Sequence, residues 1–227
     1  MQIDILTIFP EMFDGFLNTS IIKRAIENNK VKINVHNFRD YSLDKHKKVD
    51  DYPYGGGSGM VLMCEPIFRA IESIKKENSI VIMLTPSGKV FKESIALDLS
   101  KKEHIILLCG HYEGFDERIK TIVDMELSIG DYILTGGEVP AMAITDAITR
   151  LIPGVISEGS LEDESFNENL LDYPVYTKPA DFRGIKVPEV LLSGHHKNID
   201  EYRQNEKVRL TNKNRSDLNG GINNEDE

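Results

Sequence analysis

The sequence predicts an α/β protein with a largely parallel sheet, and three observations carry that reading. Apolar runs of strand length recur at residues 3–8, 31–35, 80–84, 105–108 and 122–127. Helix-like stretches at residues 12–28, 66–76, 91–99 and 139–151 follow several of them. Strands alternating with helices build a sheet covered on both faces. Glycine-bearing loops then follow the strands, and ligands of such sheets bind at strand carboxyl ends.

The elements run in chain order. The run at 3–8 opens the sheet, and the stretch at 12–28 reads as its first helix. The run at 31–35 gives a second strand, after which residues 52–60 form a glycine-rich segment. The stretch at 66–76 leads into the strand at 80–84, which ends in Thr85-Pro86-Ser87-Gly88. Residues 91–99 lead into the strand at 105–108, followed by Cys109-Gly110-His111-Tyr112-Glu113-Gly114. Asp116, Glu117 and Arg118 read as a helix opening, where acids offset the macrodipole. The strand at 122–127 runs into Ser128-Ile129-Gly130-Asp131-Tyr132-Ile133-Leu134-Thr135-Gly136-Gly137, the most informative stretch of the chain. Its glycines permit positive φ and close approach of a ligand to the main chain. Glu138-Val139-Pro140 follows, and a proline there suits a first helical turn.

The α/β pattern stops near Pro153. Residues 157–172 are acidic and poor in large apolar groups, and read as a flexible linker. Residues 173–218 form a small second region, with a helix of basic composition at 199–212. Residues 219–227, rich in Asn, Gly and acids, read as a disordered tail.

Composition narrows the class. The chain has 227 residues, 40% hydrophobic and 28% charged, as in a soluble globular protein. No apolar run reaches membrane-spanning length and no leader pattern opens the chain, so the expected location is the cytoplasm. Cys64 and Cys109 lack metal-ligand or disulfide spacing, and no metal site is expected. The net charge of −10 argues against a nucleic-acid partner when taken alone. Distribution weighs more than the sum, and basic residues concentrate at 23–48 and 203–215.

The segment Tyr52-Pro53-Tyr54-Gly55-Gly56-Gly57-Ser58-Gly59-Met60 has no GK[ST] ending and no glycine where GxGxxG needs one, which excludes standard nucleotide loops. It reads as a surface loop or as a lid facing RNA. His111 reads as a hydrogen-bonded structural residue before it reads as a catalyst. Arg150 closes an apolar helix, where it either caps carbonyls or presents a fixed cation at a pocket edge. Asp163 and Glu164 sit in a carboxylate cluster whose members raise one another's proton affinity, which suits a general base.

Together these motifs resemble the bacterial tRNA (guanine-N1)-methyltransferases, of the SPOUT class. The resemblance rests on Phe9-Pro10-Glu11-Met12-Phe13, the segment at 53–57, the two glycine loops, residues 172–179 and Leu191-Leu192-Ser193-Gly194, in order from residue 1 to about 215. It implies a trefoil-knotted parallel-sheet domain over residues 1–156 and a small C-terminal helical, tRNA-binding domain over 173–218. It also implies a homodimer whose active sites are shared between subunits.

The resemblance further implies S-adenosylmethionine as methyl donor, held by Leu84, Thr85 and Pro86, by Gly110, Tyr112, Glu113 and Gly114, and by the third loop. From that loop come Ile129, Gly130, Asp131, Tyr132, Ile133 and Leu134, then Gly136, Gly137 and Pro140. The target is nitrogen 1 of the guanosine 3′ of the tRNA anticodon. Arg150 matches the family's arginine before Ile152-Pro153-Gly154-Val155. The base is Asp163 or Glu164: the family places aspartate directly before Ser-Phe, and here Glu164 precedes Ser165-Phe166. Assistance by magnesium stays open. Two alternatives stand beside the enzyme: a relative that binds RNA or donor without catalysis, and, more distantly, a dinucleotide-dependent dehydrogenase.

Overall fold

The computed structural model describes residues 1–157, 164–166 and 169–219. The chain divides into two compact units, Met1–Ile156 and Ser157–Glu227.

The first unit contains β1 (Gln2–Thr7), α1 (Asp14–Leu17), α2 (Ser20–Glu27), β2 (Lys32–Asn37), β3 (Asp50–Asp51), β4 (Val61–Leu62) and α3 (Cys64–Ile74). It continues with β5 (Ser79–Val90), α4 (Glu93–Ser100), β6 (His104–Cys109), β7 (Met125–Ser128) and α5 (Glu138–Arg150). Five strands form a sheet in the order β2-β1-β6-β5-β7, and every pairing in it is parallel. The expected mixed α/β architecture with a parallel central sheet is therefore present.

Period-two alternation divides the strands between two cores. Ile3, Ile5, Ile82, Leu84, Ile105 and Leu107 face one way, where Ile144 and Ile148 of α5 meet them. Leu6, Val81, Met83, Ile106 and Leu108 face the other, against Ile67 and Ile71 of α3. The central strand β6 is buried along its whole length, as a parallel strand covered on both faces must be.

The structure corrects three boundaries. The stretch at 12–28 is not one helix: a 3-10 turn at Pro10–Phe13 and α1 precede α2, and Ser20 takes a φ of 52° between them. The strand expected at 122–127 starts at Met125, because Glu117–Ile122 winds into a 3-10 helix capped by the Asp116 side chain. Residues 85–88 are not a free loop. They lie inside β5, whose pairing with β7 shifts register between Leu84 and Lys89. A Cβ on Gly88 would lie 2.5 Å from the Leu127 nitrogen, so only glycine lets the two backbones touch.

At the amino edge of the sheet the Asp4 carboxylate is buried and binds four side chains. It accepts from Gln2 (2.6 Å) and Asn34 (2.6 Å), and bonds Nε2 of His36 (2.9 Å) and of His104 (2.5 Å). The other ring nitrogen of His104 meets the Ser79 hydroxyl at 2.6 Å, and that oxygen accepts from the Lys76 backbone N–H at 2.6 Å. One anion thus joins β1, β2, β6 and, through His104, β5.

In the second unit the Thr211 hydroxyl, buried in the helix His196–Asn214, accepts from the Leu171 N–H and donates to the Lys207 carbonyl. Tyr173 lies beneath the Arg203 guanidinium, 4.8 Å away, and the Lys207 ammonium, 5.4 Å away. A short hairpin pairs Asp181–Phe182 with Ile185–Lys186. Most of the expected linker core, residues 158–163 and 167–168, and the expected tail from 220 onward lie outside the described residues.

The hub sets an acid limit on stability. Burial pushes the Asp4 carboxyl up, but the bonds from His36, Asn34, His104 and Gln2 outweigh it and hold the group well below the usual carboxylate range. A depressed folded value contributes stability above the ordinary value near 4, and that contribution is lost as pH falls below it. Asp4→Asn is expected to cost about 3 kcal/mol at pH 7 and to flatten the fall in stability below pH 4. Urea denaturation of both proteins at pH 7 and 3.5 checks this; equal midpoints at pH 7 would refute it.

Candidate active site

Three segments meet at the carboxyl edge of the sheet and enclose a cleft of about 470 Å³. The first wall is the β5 segment that leaves its pairing with β7, the second is the turn after β6, and the third is the loop from β7 to α5. The volume lies in the range of small-molecule sites.

Glycine contacts hold the walls together. Gly137 packs its Cα on β6, where an added Cβ would meet the Cys109 Cα and the Gly110 nitrogen at 2.7 Å. Its N–H donates to the Gly110 carbonyl at 2.8 Å, and Gly136 bridges His111 in antiparallel fashion. Gly110 itself lies against the Phe115 ring. At Gly130 a φ of 146° turns the chain, so the Tyr132 N–H donates back to the Gly130 carbonyl at 3.0 Å.

A buried carboxylate lies next to the third loop. Glu138 opens α5 and is 2% exposed. It accepts a 2.7 Å hydrogen bond from the Thr7 hydroxyl, which in turn accepts from the Phe9 N–H. A carboxylate in a first helical turn also meets the positive end of the helix dipole. Burial, with Glu138 nearby, pushes the Cys109 thiol well up, so it stays protonated and unreactive.

Leu84, Thr85 and Pro86 line the first wall, and Gly110, Tyr112, Glu113 and Gly114 the second. Ile129, Gly130, Tyr132, Ile133 and Leu134 line the third, with Gly136, Gly137 and Pro140 at its helix end. Asp131 is the exception: it is exposed and stands outside the lining, because the turn at Gly130 directs its neighbours inward instead. Arg150 is the last residue of α5 and half-buried. Glu164 belongs to the second unit and is also half-buried, whereas Asp163 lies outside the described residues.

Sequence reading named the loops of Ser87 and His111 without assigning these two a binding role, and missed Asp116 and Glu117 in the lining. The last two looked like helix openers, and they do open the 3-10 helix; facing a cleft is a tertiary fact. The His111 ring packs edge-on to Phe9 and Tyr112 at 5.0 and 4.8 Å. Its buried Nδ1 has no hydrogen-bond partner among the described residues, contrary to the structural role expected of it. Tyr112 takes a φ of 59°, an uncommon conformation that non-glycine residues adopt mostly where surroundings enforce it.

The profile of the family described as tRNA (Guanine-1)-methyltransferase TrmD matches residues 1–220. The chain belongs to this family. Named tRNA (guanine-N(1)-)-methyltransferases support the assignment. The one of Ureaplasma urealyticum is 59% identical over 219 residues, covering 96% of each chain. That of Dictyoglomus turgidum is 57% identical, covering 96% of this chain and 89% of its own. That of Staphylococcus aureus strain Newman is 58% identical, covering 96% and 90%. A TrmD-family chain thus places its glycine loops around one cleft.

Gly137→Ala tests the close contact. Overpacking at that point is expected to cost roughly 2 kcal/mol, seen as a lower urea midpoint, whereas Gly55→Ala, where no atom lies within 4 Å of the added carbon, loses only its backbone preference. A Gly137→Ala variant as stable as the parent would refute the contact.

Proposed function

We propose that this chain is an S-adenosylmethionine-dependent tRNA (guanine-N1)-methyltransferase that modifies the guanosine immediately 3′ of the anticodon. The observation that carries the reading is the coincidence of a full-length family match with a single cleft lined by the motif loops.

The cleft suits such a donor on its own terms. Gly110, Gly130 and Gly137 line the cleft without side chains and so let a ligand approach the main chain closely, Leu84, Ile129 and Pro140 supply apolar surface, and Glu113 places a carboxylate on the rim for a cationic ligand. When bound, S-adenosylmethionine supplies an electrophilic methyl group. The walls of the cleft fix the approach geometry, and positioning alone is a large part of such a rate. The remaining task is the proton on guanine nitrogen 1. Asp163 or Glu164 removes it as general base, and the Arg150 guanidinium stabilises the negative charge that spreads to the exocyclic oxygen. Sequence logic slightly favours Asp163, whose shorter side chain is easier to hold rigidly, over Glu164, with magnesium as a further candidate in proton removal.

The reading extends to a trefoil-knotted path in the first unit, a C-terminal unit that grips tRNA, and a homodimer in the cytoplasm whose subunits share each active site. Several cations of the two basic segments are already engaged: Lys47 with Asp40, Lys48 with Asp51, Arg209 with Glu206 and Arg215 with Asp217. Phosphate contacts therefore come from a mixed surface, and affinity for tRNA should fall as salt rises.

The test is methyl transfer from labelled S-adenosylmethionine to transcribed tRNA with guanosine at that site, using wild type, Asp163→Ala, Glu164→Ala and Arg150→Ala. Arg150→Ala should lower kcat by about 10²–10³-fold with unchanged affinity for the methyl donor. Loss of activity in one carboxylate variant alone identifies the base. Absence of transfer by wild type that still binds the methyl donor would replace the enzyme with a binding protein.

A further inference from the structure

His111 lines the cleft, yet it has no part in the methyl transfer described above. Its ring packs edge-on to Phe9 and Tyr112, at 5.0 and 4.8 Å, and its main chain is bridged to Gly136 of the third loop. The ring thus has a fixed place in the wall, and its two nitrogens meet different surroundings. Nδ1 is buried and lacks a hydrogen-bond partner among the described residues. Nε2 also makes no hydrogen bond among them, but it is not buried, so it is the nitrogen left open in a residue that lines the cleft.

Gly136 shows what Nδ1 has beside it. A Cβ built on that glycine would meet both the Glu138 carboxylate oxygen Oε2 and, 2.8 Å away, His111 Nδ1. The two polar atoms lie against the same Cα with no side chain between them. The other carboxylate oxygen, Oε1, already accepts from the Thr7 hydroxyl, so Oε2 is the one that remains. A bare Nδ1 would set its lone pair beside that oxygen, whereas a protonated Nδ1 sets an N–H dipole there. Negative charge in a buried setting stabilises the second arrangement. An imidazole with its single proton on Nδ1 keeps a lone pair on Nε2.

We propose that Glu138 holds the His111 proton on Nδ1, and that Nε2 is a hydrogen-bond acceptor in the cleft for an O–H or N–H of a bound nucleoside. This rests on the S-adenosylmethionine reading above and adds a contact to it. That molecule carries hydrogen-bond donors in two places, the adenosine part and the α-ammonium group. The Glu113 carboxylate on the rim suits the ammonium, so the uncharged acceptor two residues earlier is assigned to the adenosine. An acceptor of fixed tautomer also disfavours any ligand that brings a lone pair to that point, because both groups would then go unpaired.

The test is titration calorimetry with S-adenosylmethionine and with 5′-methylthioadenosine, which keeps the adenosine and lacks the ammonium, on wild type, His111→Ala and His111→Gln. Loss of one neutral hydrogen bond predicts roughly fivefold weaker binding of both ligands by His111→Ala. His111→Gln, whose amide oxygen reaches the Nε2 position, should recover both affinities. Weakening confined to S-adenosylmethionine overturns the assignment to adenosine, and equal affinities across the three proteins overturn the acceptor. Nitrogen-15 NMR of the histidine rings needs no variant that folds: His111 of wild type should show a protonated Nδ1 and a bare Nε2, with the Nε2 resonance shifting as methylthioadenosine binds. A proton on Nε2 of the free protein overturns the proposal. If wild type binds neither ligand, the S-adenosylmethionine reading itself falls, whereas binding that ignores position 111 removes only the acceptor.

Discussion

The cleft depends on one contact: the main chain at Gly137 lying directly on the end of β6. Parallel register brings the ends of β5, β6 and β7 to a common edge, but register alone leaves three loops side by side. The Gly137 N–H bonded to the Gly110 carbonyl draws the third loop across the second. That contact also seats Glu138 at the head of α5, within reach of Thr7. The side-chain-free approach, the buried carboxylate and the start of the helix are therefore one arrangement. A side chain at 137 would disturb all three.

The sheet separates its tasks by end. At the amino edge, Asp4 joins four strands through hydrogen bonds that depend on its remaining ionised. At the carboxyl edge the chain takes unusual backbone conformations at Tyr112 and Gly130 and leaves Nδ1 of His111 without a hydrogen-bond partner among the described residues. The unpartnered ring nitrogen of His111 sits among the cleft loops, although the buried Thr145 and Thr149 hydroxyls of α5 also lack a hydrogen-bond partner among the described residues.

Much of this was legible beforehand, for physical reasons. Fully buried parallel strands read as continuous apolar runs, so β1, β5 and β6 were visible at once. The glycine loops were visible because glycine marks positions where sterics rule out other residues. What stayed hidden were facts of tertiary geometry. Asp4 looked like an interruption in an apolar strand, and nothing nearby in sequence points to His36 or His104. The residues Thr85 to Gly88 read as a turn because proline and glycine ordinarily break strands; a register shift against β7 kept them extended instead. The break at Ser20 was invisible because helical composition continues across it. Asp131, which the resemblance placed among the donor-binding residues, stands outside the lining beside the turn at Gly130.

The register break in β5 has a mechanical consequence. The strand leaves its partner at Leu84 and rejoins it at Lys89, so the first wall of the cleft is an arch with both feet set in the sheet. An arch of that span has no free end to swing. The opposite rim is of another kind, with a loop from β7 to α5 that carries three exposed apolar side chains in a row, Tyr132, Ile133 and Leu134. The two rims thus differ in constraint: the first is tied to the sheet at both feet, and the third leaves apolar side chains uncovered.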